Sequence, residues 1–127
     1  MSYCSSVGIV YGYQVKDTEI DWDYITEKYK KEMEEDGYKN DVRGYFYGNL
    51  INSDYWHYSS YFGENFDESG VFGDVLEYYS GYNVTVFDPN ILIISDKRKE
   101  RITKDFKETF PFISDKEPDY YVLVSYD

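Results

Sequence analysis

Residues 5–16 alternate for longer than any other stretch of the chain, and this run restricts the fold most. Val7, Ile9, Tyr11, Tyr13 and Val15 fall on one side, and Ser6, Gly8, Val10, Gly12 and Gln14 on the other. A period of two over this length specifies a strand with one face toward a core. Gly8 and Gly12 share the second face. They predict a close approach there, expected from a packed helix.

The period then changes. Trp22, Ile25, Tyr29 and Met33 recur at helical spacing and predict a helix over 22–36. Asp21 is its expected N-cap and Gly37 its left-handed C′ residue. Ile102, Phe106 and Phe110 make the narrow apolar stripe of a second helix over 96–110, capped by Ser95 or Asp96 and stopped by Pro111. Residues 119–126 alternate again and predict a final strand. Strands are also expected at 42–51, 83–87 and 91–95, the last two separated by the turn Asp88-Pro89-Asn90. Phe72, Val75, Leu76 and Tyr79 suggest a short helix ending at Gly81, and 52–70 reads as a long structured loop.

The expected architecture is a single α+β domain over 1–127. It is an antiparallel sheet of split βαβ, ferredoxin-like character, with two main helices on one face and an aromatic-rich insertion at about 52–82. Aromatics make up 21% of the 127 residues, which argues against disorder despite a formal charge of −12.

That charge comes from 25 acids against 13 bases and is uneven. Residues 1–95 hold 17 acids and 6 bases, a net of −11, whereas residues 96–127 hold 8 and 7, a net of −1. Such a field repels nucleic acid and anionic membranes and attracts basic surfaces. The single cysteine, Cys4, excludes an internal disulfide and a cysteine-cluster metal site. Neither a leader pattern nor a membrane-length apolar run is visible, so a cytoplasmic protein is expected.

Two groups of residues are candidates for function. Asp17, Glu19, Asp21 and Asp23 alternate. On extended backbone they would stand about 6.6 Å apart, close to the phosphate spacing of a nucleic-acid strand. Read as a calcium loop, the row has Trp22 where glycine is needed and Lys28 where the closing glutamate is needed. Read without function, it is a solvated turn and a helix cap. The second group lies within residues 44–82, which hold thirteen aromatics and six acids but neither lysine nor arginine. Asp54, Tyr55, Trp56, Tyr58, Tyr61, Glu64, Asp67 and Glu68 are its candidate contacts, because Tyr and Trp are enriched among binding hot spots. The same rings would otherwise build a second core layer.

A third acidic group, Glu32, Glu34, Glu35 and Asp36, closes the first helix, where acids oppose the dipole. Lys28–Glu32 and Lys31–Glu35 pairs would offset it. His57, the only histidine, has no partners in sequence for a catalytic triad and reads as a packing or hydrogen-bonding residue. No phosphate-binding glycine loop, cofactor motif or metal motif is present, so the sequence predicts neither catalytic residues nor a cofactor.

In size, acidity and lack of a catalytic motif the chain resembles the small inhibitors that phages make against restriction or CRISPR nucleases. The likeness is one of character, so no residue role is carried over. It implies an inhibitory binding module, a nucleic-acid mimic docking on a protein with a basic nucleic-acid-binding surface, and not an enzyme. Direct nucleic-acid binding and membrane association are not expected, and exposed aromatics leave room for a homodimer. Two alternatives are a small-ligand or carbohydrate-binding module using the aromatic loop, and a small hydrolase using paired acids.

Overall fold

A computed structural model describes residues 4–57, 70–80 and 86–126. It contains strands β1 (Cys4–Val15), β2 (Trp56–His57), β3 (Gly70–Ser80) and β4 (Asp119–Tyr126). Its helices are α1 (Trp22–Glu35), α2 (Val42–Tyr45) and α3 (Asp96–Thr109). The strands form one antiparallel sheet in the order β2-β3-β1-β4. Because β3 runs antiparallel to both neighbours, β1 and β2 are parallel and separated by one strand. This is the split βαβ arrangement within an α+β fold.

The alternation of β1 sets the layers. Tyr11, Tyr13 and Val15 are buried on the face that receives the helices, together with Phe72 of β3, Ile102 and Phe106 of α3, and Phe110, which caps the C-terminus of α3. Tyr13 stacks on Phe106 at 3.9 Å between centroids, and its hydroxyl hydrogen-bonds Thr103 Oγ1 at 3.0 Å. Phe110, Phe72 and Phe46 meet edge to face at 5.6 Å. Each such pair adds about 0.5–1.5 kcal/mol beyond the area it buries.

The helix ends follow their expected chemistry. Asp21 accepts the Tyr24 amide at 3.0 Å, and Ser95 Oγ accepts the Arg98 amide at 3.2 Å. Gly37 takes φ +84°, and Tyr38 N–H returns to the Met33 carbonyl at 2.7 Å, closing a Schellman turn.

Several expectations are corrected. In place of the strand expected at 42–51, residues 42–50 are helical: α2 runs into a π turn over Phe46–Leu50, closed by Ile51 N–H to the Phe46 carbonyl at 2.9 Å. Asp41 caps α2 through the Gly44 amide at 2.9 Å, and Tyr45 and Phe46 turn into the core. Residues 91–95 are no strand either. Pro89–Leu92 is a 3-10 turn whose entry is fixed by Asp88 accepting the Asn90 amide at 3.0 Å. Of the strand expected at 83–87, residues 83–85 lie outside the described residues, and 86–87 are not extended into a sheet.

Conversely, the expected insertion supplies two of the four strands. The expected helix at 72–79 is β3, the neighbour of the central strand. A bulge places both Val75 and Glu77 opposite adjacent residues of β1, leaving Leu76 over. This extra residue breaks the two-residue period and leaves apolar side chains at helix-like intervals. Finally, it is β3 and not a helix that approaches Gly12, whose cross-strand partner is Gly73.

Candidate functional site

The acids of the alternating row do not form one extended array. Asp17–Glu19 is a 3-10 turn and α1 begins at Trp22, so the phosphate-like spacing is lost. The side chains are largely committed to the fold. Asp17 pairs with Arg43 at 2.7 Å and lies 3.4 Å from the Tyr47 hydroxyl. Glu19 pairs with Lys116 at 2.6 Å and accepts the Lys16 amide at 3.0 Å. Burial pushes the Glu19 carboxyl up, but these hydrogen bonds and the Lys116 and Lys16 charges outweigh it and hold it below its ordinary value. Asp21 and Asp23 are both exposed; Asp21 serves α1 as its cap, and Asp23 is a first-turn acid.

The second group divides in the same way. Asp54 is exposed, and its amide donates to Asn52 Oδ1 at 2.9 Å. Tyr55 is half-buried beside Phe72, with ring centroids 5.5 Å apart. Trp56 is buried between Tyr47 and Phe110, so it is a core residue rather than a surface anchor. Tyr58, Tyr61, Glu64, Asp67 and Glu68 lie outside the described residues. His57 Nε2 donates to the Gly73 carbonyl at 3.0 Å, a structural bond that ties β2 to β3.

The third group presents a different surface. Glu32, Glu34, Glu35 and Asp36 are all exposed, and none makes an ion pair with a described residue. The expected Lys28–Glu32 and Lys31–Glu35 pairs are not formed. Lys28 instead reaches the Tyr24 hydroxyl at 3.5 Å and lies over the Tyr24 and Tyr29 rings at 5.6 and 5.5 Å. Met33 and Ile25 anchor the opposite side of α1, and the Schellman turn fixes where the helix stops. The group stands at the C-terminal end of α1, beyond a kink at Tyr29 (φ −113°, ψ 18°). Its field reaches inward: burial chiefly, then Asp36 and Glu32, raise the Tyr45 phenol above its ordinary value. In the sequence this cluster looks neutralised, because Lys28, Lys30 and Lys31 stand at i−4 to Glu32, Glu34 and Glu35. The signal that points to it is the dipole, which all four acids oppose.

Asp74 of β3, buried on the helical face, accepts from Arg98 Nε at 2.6 Å and from an Arg101 terminal nitrogen, both through Oδ2. Lys99 lies over Tyr11 at 5.8 Å.

Among the described residues, no three of His, Cys, Asp and Glu converge as a metal site, and no helix is long and apolar enough to cross a membrane. Comparison with known protein families, curated proteins and solved structures returns no match.

Proposed function

We propose that this protein is an inhibitory protein-binding module, an acidic nucleic-acid mimic that docks on the basic nucleic-acid-binding surface of a partner. The observation that carries the reading is the exposed cluster Glu32, Glu34, Glu35 and Asp36 at the negative end of α1, which makes no ion pair among the described residues. Each acid there costs the isolated fold about 0.3–1 kcal/mol, and no described cation forms an ion pair with any of them. A basic partner would turn that cost into attraction. The net charge of −12 would speed encounter with such a surface at low salt. Asp23 and Asp54 are exposed acids available to the same field, whereas Asp17 and Glu19 are held by internal cations.

The test is capture of a nucleic-acid-binding protein from bacterial lysate by the tagged chain, at about 50 mM and about 500 mM salt, which shifts the screening length from roughly 14 Å to 4 Å. The reading expects capture that fades with salt, is competed by added nucleic acid, and is lost in the Glu32→Gln/Glu34→Gln/Glu35→Gln/Asp36→Asn variant. Capture that ignores salt and competitor, or that survives the four substitutions, counts against it.

A further inference from the structure

We propose that Arg98 and Arg101 form a binding site for a small phosphate group, with Tyr55 as its apolar wall. The inference is independent of the acidic cluster, because no α1 residue takes part.

The site begins with an imbalance. Asp74 brings one carboxylate to the helical face of the sheet and is met by two guanidiniums, leaving a local formal charge of +1. One arginine would neutralise a buried carboxylate. The second is surplus to that need. Both are fixed by the same atom, Asp74 Oδ2, and each keeps an open side: Arg98 is 40% exposed and Arg101 50%. Arg98 uses only its Nε and Arg101 only one terminal nitrogen toward Asp74. Their remaining N–H groups have no partner among the described residues.

Those free donors come from residues three apart on α3, so they lie on one side of the helix. Arg98 also belongs to the first turn, where the dipole adds positive potential. The Arg101 guanidinium carbon stands 5.9 Å from the Tyr55 ring centroid, which shields one side of the fork from water. Tyr55 is itself held in place, since its carbonyl accepts the Gly73 amide at 2.8 Å.

The chemistry that fits is a tetrahedral dianion. A planar carboxylate satisfies one guanidinium fork, whereas a phosphate offers enough oxygens to bridge two. A free phosphate or a small phosphate monoester meets the site without facing the rest of the −12 surface, which a long polyanion would have to cross.

The test is a titration of the intact ¹⁵N-labelled protein with inorganic phosphate at constant ionic strength, read at the arginine Nε–Hε signals. Glycerol phosphate, acetate and chloride provide the comparison arms. Saturable shifts of the Arg98 and Arg101 signals with phosphate are expected, with acetate at least tenfold weaker and chloride without a saturable response. Tighter binding of glycerol phosphate would identify a monoester as the ligand. Arg101→Lys, which keeps the charge but loses the fork, should weaken phosphate by tenfold or more while the amide spectrum stays folded. No saturable shift with phosphate, equal saturation by acetate, or unchanged affinity in Arg101→Lys would overturn the proposal.

Discussion

Gly12 of β1 and Gly73 of β3 are cross-strand partners so close that a Cβ on either would come within 2.7 Å of the other's Cα. The neighbouring atoms are backbone, so no side chain can move aside. Gly12→Ala and Gly73→Ala should each destabilise by more than about 2 kcal/mol through forced separation of the two central strands. Gly8, with nothing within 4 Å of its Cβ position, is the internal control. Gly8→Ala should cost far less, and urea unfolding of the three variants checks the order.

Asp74 is the buried charge that ties α3 to the sheet. Asp74→Ala would leave two guanidiniums without their acceptor. Because both arginines are partly exposed and can turn to water, the expected cost is about 2 kcal/mol, below the full penalty for breaking a wholly buried pair. Thermal unfolding reads it. Arg98→Ala and Arg101→Ala should each cost less than Asp74→Ala, since the other arginine remains.

Glu19 and Lys116 join the turn after β1 to the loop before β4, and Lys116 Nζ also donates to the Gln14 carbonyl at 2.6 Å. The Glu19 carboxyl is held below its ordinary value in the folded chain. Its contribution is therefore complete above the unfolded pKa, about 4.3, and is lost as pH falls through the lower folded value. Lys116→Met should lower stability by about 1 kcal/mol at neutral pH, since the pair is only partly buried. The gap to wild type should narrow on acidification through this window, as measured by unfolding between pH 7 and about pH 3.

The end of α1 should show stability and binding moving in opposite directions. Neutralising Glu34, Glu35 and Asp36 removes acids from the wrong end of a dipole and should raise stability by about 1 kcal/mol in total. The same variant should lose capture of the basic partner. Gly37→Ala, at φ +84°, should instead cost about 1 kcal/mol and leave the charge unchanged. Melting curves and the capture assay, run on the same preparations, separate the two effects.

Much of the frame is legible in the periodicity of the chain. β1, α1, α3 and β4 each carry one unbroken period over at least eight residues, and three helix ends carry their expected signals in Asp21, Gly37 and Ser95. The departures fall where composition and period disagree. In 42–51, Val42, Tyr45, Phe46 and Leu50 follow helical spacing behind an Asp41 cap, but aromatic and β-branched residues suggest a strand. Burial of Tyr45 and Phe46 against α1 and Phe110 outweighs that propensity. In 72–79 the Leu76 bulge disguises a strand as a helix.

The sequence alone determined the α+β class, the strongly acidic surface, and which faces of the long elements turn inward. These follow from the period of apolar residues and from formal charge, and neither depends on what lies opposite. Only the tertiary structure decided which charges were left over. It placed Arg43 on Asp17 and Lys116 on Glu19, residues 26 and 97 positions apart in the chain, and brought two α3 arginines to one β3 carboxylate. It also turned Lys28 toward tyrosine rings instead of into an ion pair with Glu32. Charge pairing acts over a few ångströms in space, and chain distance does not encode it.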